Sequence, residues 1–276
     1  MSDNQNLNKA KVVKNDEFYT RYEDIEKEVT NFYDCLSGKV VYCNCDDHTV
    51  SNFVRYFKEN FTKIKLKGLI STSYKPNGCG LEYRYDGISE YTGKLKGDGD
   101  FRSVECRAIL EEADVVITNP PFSLFRDMIG VLMEHNKKFL IIGSQMATTY
   151  KDTFKLLKDR KIDYGYNFVK SFTQPDGGEF TFGNICWYTN LKIQNREPLP
   201  LTKTYDASTY PKYDTTDAIE VSRVVNIPMD YYGVMGVPIT YMFKHSEEQF
   251  KVIAFVTGLR INGKSKFGRL LIQRKV

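Results

Sequence analysis

The sequence predicts an α/β fold with a doubly wound, mostly parallel sheet, followed by a small β-rich C-terminal addition. Three observations support this fold class. Short apolar runs alternate with amphipathic segments up to about residue 165, polar residues directly follow two of those runs, and later residues are richer in Tyr and Thr. Strands that alternate with helices form parallel sheets with helices on both faces.

The elements follow from the spacing of the apolar residues. Runs suited to buried strands span residues 39–45, 67–72, 113–118 and 138–143. Helical spacing of apolar residues predicts helices over residues 22–36, 51–60, 104–112, 124–134 and 149–160. Residues 75–100 are rich in Gly, Tyr and Asp, and we expect a loop or hairpin insertion there.

Composition and charge exclude several classes of protein. The 276 residues are 41% hydrophobic and 27% charged, which allows a normal core without a metal or disulfide staple. The six cysteines lack metal-ligand spacing, so we expect reduced thiols and no metal site. No apolar stretch approaches a membrane span, and the polar residues 1–14 predict a flexible lead, so we expect a cytoplasmic protein without membrane contact. A net charge of +4 permits a nucleic-acid partner without demonstrating one.

One predicted strand is followed directly by a polar and proline-rich tetrapeptide, which consists of Asn119, Pro120, Pro121 and Phe122. Prolines lack an N–H group and fix φ, so the carbonyl of Pro120 is available as a rigid acceptor. The side-chain oxygen of Asn119 is a second acceptor. Two fixed acceptors suit a planar amino group, whose nitrogen lone pair is then free to attack a methyl group, while Phe122 stacks on the attached ring. The alternative is a simple strand-to-loop turn.

A second polar segment follows the predicted strand at residues 39–45. Asp46 and Asp47 stand there, and open α/β sheets bind ligands beyond the carboxyl ends of their strands. We therefore expect these carboxylates at the same edge of the sheet as Asn119. Asp46 could instead cap the helix that begins near Ser51.

Residues 118–123 resemble the signature of DNA adenine methylases, and the whole chain resembles the EcoRI-type family of adenine-specific DNA methyltransferases. The matching segments are residues 15–20, 41–47, 97–103, 118–125, 139–143, 183–187 and 235–240. The resemblance implies a Rossmann-like class I methyltransferase sheet and S-adenosyl-L-methionine as cofactor. It also implies double-stranded DNA as partner, a cognate restriction endonuclease as a further partner, and a monomer as the working form.

The resemblance implies a role for each matching residue. Asn119, Pro120, Pro121 and Phe122 are expected to hold a flipped adenine. The expected cofactor-binding residues are Phe18, Tyr19, Thr20, Cys43, Asn44, Asp46, Asp47, Asp98, Asp100 and Phe101. Residues 43–47 replace the glycine-rich loop common to methyltransferases, and a glycine-poor loop allows a less close backbone approach. As alternatives, Phe18 and Tyr19 could be core aromatics, and Asp98 and Asp100 could be turn residues.

The expected domains are a lead over residues 1–14, a catalytic domain over 15–190, and a C-terminal part over 191–276 that completes the sheet and contributes to DNA binding. Phosphate contacts are expected from two basic clusters. These are Lys192, Arg196 and Lys203, and then Arg260, Lys264, Lys266, Arg269, Arg274 and Lys275, with Asn262-Gly263 as a turn. For any single residue the alternative is a solvated surface charge.

The expected activity is methylation of the exocyclic amino group of adenine in DNA, by direct transfer to a flipped base. Two alternatives stay open at this point. One is transfer to another planar amino group, in RNA adenine, at cytosine N4 or in protein glutamine. The other is a non-catalytic relative that binds DNA or cofactor.

Overall fold

A computed structural model describes residues 19–173 and 178–275 of the chain. The expected lead and Phe18 lie outside these described residues. The chain forms two compact units. The first unit comprises the residues up to Ala147 together with Asp159–Lys192, and the second comprises Thr148–Lys158 and Ile193–Val276.

The first unit is built on a sheet that has nine strands within the described residues. In chain order they are β1 (Tyr19–Thr20), β2 (Val40–Cys43), β3 (Gly68–Ser73), β4 (Leu81–Tyr85), β5 (Glu90–Lys94), β6 (Val115–Thr118), β7 (Lys138–Ser144), β8 (Asp163–Thr173) and β9 (Glu179–Thr189). Their order across the sheet is β1-β8-β9-β7-β6-β2-β3-β4-β5. The four central strands β7, β6, β2 and β3 pair in parallel, and the strands at both edges pair antiparallel. The predicted α/β fold with parallel strands at its centre is confirmed.

The helices of the first unit begin close to the positions that the sequence predicts. Its described α-helices are α1 (Tyr22–Val29), α2 (Tyr33–Leu36), α3 (Asn52–Glu59), α4 (Phe61–Ile64), α5 (Val104–Glu112) and α6 (Phe125–Glu134). A 3-10 turn joins α1 to α2 at Thr30–Phe32. The Ser51 hydroxyl caps α3 by accepting the N–H of Phe53 at 3.0 Å, and Ser103 caps α5 in the same way. Such caps satisfy backbone donors that a helix start leaves without partners.

The order of the parallel strands reverses at β2. The chain runs from β2 outward to β3, then returns to β6 on the other side of β2 and continues to β7. A reversal of this kind leaves a crevice beyond the carboxyl ends of the two strands that flank it. Here the crevice follows Cys43 of β2 and Thr118 of β6. Both polar segments predicted to form the site begin there.

A buried carboxylate joins α1 to the strand β8. The two carboxylate oxygens of Glu28 accept the backbone N–H groups of Tyr166 and Asn167, each at 2.8 Å. Because the pairing of β8 with β9 is irregular at this point, the carboxylate satisfies donors that the sheet does not. A Cβ atom at Gly165 would overlap the Glu28 carboxylate. Burial raises the pKa of Glu28, and the hydrogen bonds from β8 oppose that rise.

The second unit is rich in β-structure and also contains α7 (Lys151–Lys158). Its described strands are β10 (Ala218–Glu220), β11 (Val234–Val237), β12 (Phe250–Val256), β13 (Arg260–Ile261), β14 (Lys264–Ser265) and β15 (Arg269–Arg274). They form a sheet of order β10-β11-β15-β12 and the hairpin β13–β14. None of these described strands joins the nine-stranded sheet, contrary to the expectation that the C-terminal part completes it, because antiparallel β9 occupies the place beside β7. Among the described helices of the chain, none has the length and apolar character needed to cross a membrane.

Gly143 of strand β7 lies against the ring of Phe125 on helix α6, and we predict that Gly143→Ala destabilises the protein. A Cβ atom there would overlap the ring of Phe125, which also packs against Tyr188 with ring centroids 4.9 Å apart. Added atoms in a packed core cost about 1–3 kcal/mol, and denaturant unfolding would measure that loss.

The matched control for this prediction is Gly130→Ala, on α6 itself. A Cβ at Gly130 has no neighbour within 4 Å, and alanine favours a helix over glycine by about 1 kcal/mol. The control should therefore keep or raise stability. Equal effects of the two substitutions would contradict the prediction.

Candidate active site

A cavity of about 500 Å³ occupies the crevice beyond β2 and β6. The predicted site residues that line it are Tyr19, Thr20, Asn44, Asp46, Asp47, Asp100, Phe101, Asn119, Pro120, Pro121 and Phe122. Cys43 and Asp98 do not line it. The fold therefore brings most of the predicted residues together, although they come from four separate parts of the chain.

Asp46 connects the elements that surround this cavity. Its Oδ2 atom accepts a hydrogen bond from the Thr118 hydroxyl at 2.6 Å, and its Oδ1 atom accepts one from the Ser51 hydroxyl at 2.7 Å. Its backbone N–H donates to the carbonyl of Thr72 at 3.0 Å. Since Ser51 itself caps α3, Asp46 supports the cap and does not bind the helix N–H groups directly. The residue holds together the ends of β2, β3 and β6 and the start of α3.

Burial changes the acidity of Asp46. The side chain is 8% exposed, and this desolvation raises its pKa to about 6. The hydrogen bonds from Thr118 and Ser51 favour the ionised form and limit the rise. Asp46 is therefore a carboxylate that gains a proton in mildly acidic solution.

Two residues that line the cavity have a buried side-chain oxygen without a hydrogen-bond partner among the described residues. These oxygens are the Thr20 Oγ1 and Asn44 Oδ1 atoms. The rest of each residue is fixed, because the Thr20 carbonyl accepts from Asn52 at 2.8 Å and the Asn44 amide donates to the sulfur of Met128 at 3.6 Å. Buried polar atoms in folded proteins are nearly always paired. These two atoms therefore fit a polar ligand that offers hydrogen-bond donors.

Asp100 and Phe101 are both held by an arginine that the sequence interpretation overlooked. Arg102 donates to Asp100 at 2.7 Å and to Asp127 at 2.8 Å. Its guanidinium group also lies 5.6 Å from the ring centroid of Phe101. The hydrogen bonds from Arg102 hold the pKa of Asp100 below its usual value. Asp100 is thus kept ionised at the cavity wall, beside a buried aromatic ring.

Asp98 has a different place from the one expected. Its carboxylate accepts the backbone N–H of Asp100 at 3.0 Å, which is the bond of a local turn. The turn passes through Gly99, where φ is 85° and a Cβ atom would overlap the carbonyl oxygen of Ser73. Asp98 therefore shapes the backbone that leads to Asp100, in agreement with its alternative interpretation as a turn residue.

Cys43 also departs from its expected place among the cofactor-binding residues. Strand β2 ends at Cys43, two residues earlier than predicted, and its side chain is fully buried in the core. Burial raises the pKa of its thiol. Cys45, which follows the strand in a turn, lines the cavity instead.

The tetrapeptide after β6 forms one wall of the cavity. Pro120 is buried, and a short 3-10 turn follows at Phe122–Leu124, closed by the Leu124 N–H donating to the Pro121 carbonyl at 2.9 Å. The Phe122 ring packs edge to face against Phe172, with centroids 6.3 Å apart. The arrangement gives a rigid polar wall with an aromatic ring at its end.

Two further lining residues come from the turn before α3 and from the end of β3, the third strand that ends at this edge. Val50 and Tyr74 line the cavity with 52% and 54% of their surface exposed, so they lie at its mouth. Tyr74 comes directly after β3. The rule that ligands bind beyond the carboxyl ends of strands could have identified it from the sequence.

The basic residues expected to meet phosphate differ in their availability. In the second unit, Arg269 is 11% exposed and forms an ion pair with Glu220 at 2.6 Å. The guanidinium of Arg274 lies 5.3 Å from the ring centroid of Tyr232. Arg260, Lys203, Lys264, Lys266 and Lys275 are exposed, as is Lys192 of the first unit, and Arg196 is half-buried. Arg269 therefore serves the core of its unit and is not free for an outside partner.

Comparisons with known proteins cover nearly the whole chain. A family profile described as adenine-specific methyltransferase EcoRI matches residues 6–90 and 81–275. Type II methyltransferase M.EcoRI of Escherichia coli is 43% identical over 99% of this chain and 97% of its own length. M.MpnI of Mycoplasma pneumoniae is 39% identical over 90% of this chain and 84% of its own length. M.MgeORF184P of Mycoplasma genitalium is 33% identical over 98% of this chain and 98% of its own length. No solved structure is significantly similar to the chain.

The α/β sheet with its cavity at the strand reversal, together with these matches, defines the chain as a methyltransferase. It belongs to the EcoRI family of adenine-specific methyltransferases. The family predicted from the sequence segments is confirmed.

The burial of Asp46 predicts a pH-dependent stability. Its pKa is about 6 in the folded chain and 3.8 without burial, so between these values the folded chain binds the proton more strongly. The wild type should therefore lose stability relative to Asp46→Asn as pH rises from 4 to 7, by up to about 3 kcal/mol. Unfolding midpoints of both proteins across this range would measure the difference.

A second variant makes this test more specific. Thr118→Val removes one hydrogen bond that favours ionised Asp46, so the folded pKa should rise and the upper limit of the pH-dependent range should rise with it. Thr118→Ser keeps the hydroxyl and should leave that limit unchanged. A stability difference between wild type and Asp46→Asn that does not vary with pH would contradict the assignment.

Proposed function

We propose that this chain methylates the exocyclic amino group of adenine at a specific sequence in double-stranded DNA, with S-adenosyl-L-methionine as the methyl donor. The main support is that Asn119, Pro120 and Phe122 line the same cavity as the buried oxygens of Thr20 and Asn44. One cavity thus combines residues suited to an amino group with residues suited to a polar ligand. The fold proposed for this arrangement is the doubly wound, Rossmann-like sheet of class I methyltransferases, which four central parallel strands and their reversal at β2 support.

The residues of the cavity fit the proposed cofactor. Thr20 and Asn44 offer acceptors for the ammonium group of its methionine part, and burial without other described partners favours such a bond. Phe101 and ionised Asp100 offer an apolar face and a polar edge to its adenosine part. When bound, S-adenosyl-L-methionine supplies an electrophilic methyl group. In this proposal Asp46 orients the cavity walls, because its carboxylate is already engaged by Thr118 and Ser51.

The proposed roles of the tetrapeptide concern the acceptor base. The Asn119 side-chain oxygen and the Pro120 carbonyl accept the two N–H bonds of the adenine amino group, which leaves the nitrogen lone pair available for direct transfer. Phe122 stacks on the base. The ring of Phe122 is held by Phe172, so the stacking surface is in place before the base arrives. No covalent enzyme intermediate is needed.

The distribution of charge supports DNA as the partner. In sequence, the second unit has 15 Lys and Arg against 9 Asp and Glu, a formal charge of +6, whereas the first unit has 24 against 26, a charge of −2. Lysines and arginines that neutralise phosphates provide much of the affinity for DNA. We therefore propose the first unit as the catalytic domain and the second as the DNA-binding domain. That affinity would offset the few kcal/mol that flipping a base costs.

The same proposal covers the biological setting. Type II relatives support a role beside a cognate restriction endonuclease, with the enzyme working as a monomer. The proposed place of action is the cytoplasm.

Other acceptors keep the same chemistry, since RNA adenine, cytosine N4 and protein glutamine also present a planar amino group. Phe122 and membership of an adenine-specific family favour adenine. A non-catalytic relative is disfavoured because the complete tetrapeptide lines the cavity.

The acceptor can be identified directly. Unmethylated genomic DNA would be incubated with the purified protein and S-adenosyl-L-methionine labelled in its methyl group, and modified bases would be located by sequencing. We expect N6-methyladenine at one short recurring sequence, with no label transferred to RNA or protein supplied in parallel. Label on another acceptor, or none on DNA, would overturn the proposal.

Asn119→Ala should reduce methyl transfer by about 100-fold or more, because one of the two acceptors for the amino group is lost. Binding of S-adenosyl-L-methionine, measured by calorimetry, should stay near the wild-type value. Asn195→Ala is the matched control, since this asparagine is exposed and does not line the cavity. A rate of transfer near that of the wild type would show that Asn119 does not act on the acceptor.

A further inference from the structure

The hairpin β13–β14 of the second unit is held in place by hydrogen bonds and by apolar packing. Its turn residues Asn262 and Gly263 both have positive φ, 50° and 73°, which confirms the turn predicted from this pair. Their N–H groups donate to the two carboxylate oxygens of Asp214, at 2.8 Å and 2.9 Å. Leu259 and Ile261 are buried below the turn in a hydrophobic cluster of the unit. The hairpin therefore has an ordered conformation.

Phe267 follows this hairpin and leaves 86% of its surface exposed. The backbone is held on both sides of it. The N–H of Lys266 donates to the carbonyl of Leu259 at 2.8 Å, and Gly268 lies so near Phe255 that a Cβ atom would come within 2.6 Å of its ring. The ring is therefore exposed although the backbone on both sides of it is ordered.

A buried network fixes the chain immediately beyond Phe267. Strand β15 begins at Arg269, whose guanidinium group donates to both oxygens of Glu220, at 2.6 Å and 3.1 Å. The hydroxyl of Tyr213 donates to the same carboxylate. Both ends of the segment that presents the ring are therefore anchored in the second unit.

The residues around Phe267 are positively charged. Arg260, Lys264 and Lys266 are exposed, and none of the three forms an ion pair within the described part of the chain. The nearby carboxylate of Asp214 is bound by the turn. Lysines suit phosphate, and an aromatic ring suits the faces of nucleic-acid bases, which are apolar and flat. Duplex DNA presents phosphates along its surface, and it presents base faces where an apolar side chain inserts between two base pairs and partly unstacks them.

We propose that Phe267 packs against bases of the target duplex while Lys264 and Lys266 contact its phosphates. The proposal rests on the proposed function, because that function supplies the DNA. It assigns the ring a share of the affinity that does not depend on charge. Removing the ring should therefore weaken binding at every salt concentration by the same factor, whereas removing a lysine should reduce the dependence on salt.

The test measures binding of the full-length protein to a duplex that contains the sequence methylated by the wild type, at several salt concentrations. Phe267→Ala should bind about tenfold to hundredfold more weakly, with an unchanged salt slope. Phe267→Trp keeps a stacking ring and should bind within a few-fold of the wild type. Lys266→Ala should lower the slope of log affinity against log salt by about one.

Val225→Ala is the matched control, since Val225 is also an apolar residue of the second unit with 65% exposure, and it should bind like the wild type. Thermal unfolding of each variant verifies the fold. The inference would be overturned if Phe267→Ala bound DNA as tightly as the wild type, or if Phe267→Ala and Phe267→Trp bound equally weakly. Either result would leave the proposed function standing as long as the wild type methylates DNA. Failure of the wild type to methylate DNA would overturn both.

Discussion

The carboxylate of Asp46 is the interaction on which the geometry of the site depends. The carboxylate accepts from Thr118, which precedes the tetrapeptide, and from Ser51, which caps α3, while the backbone N–H of Asp46 donates to the carbonyl of Thr72 near the end of β3. A buried charge is unfavourable unless hydrogen bonds satisfy it. The two hydroxyl groups offset part of that cost, and their bonds connect the residues proposed for the cofactor with those proposed for the base.

The sequence predicted the centre of the sheet because strands covered on both faces are continuous apolar runs. It predicted the cavity because polar segments follow two such runs. It did not predict the partners of Asp46, since Thr118 is 72 positions away and a single hydroxyl gives no sequence pattern. Cys43 shows another limit, because β2 ends two residues earlier than the sequence predicts. Successive side chains of a strand face opposite sides of the sheet, so an error in the strand boundary leads to an error in which side chains are expected to face the site.

The basic residues show why composition alone describes a binding surface poorly. A count of charges treats Arg269 and Lys266 alike, yet Glu220 neutralises Arg269 inside the second unit while Lys266 stays exposed. The contrast in charge between the two units also depends on the fold, because α7 contributes three lysines to the second unit although its sequence lies within the predicted catalytic range.

The contact between Glu28 and Gly165 joins two positions that are far apart in sequence. Any side chain at 165 would overlap the Glu28 carboxylate, and any shorter residue at 28 would leave two N–H groups of β8 without that acceptor. Neither position can therefore change alone at low cost, and a substitution at one is tolerated best when the other changes with it. The two positions are therefore physically coupled, and a redesign of this part of β8 has to treat them together.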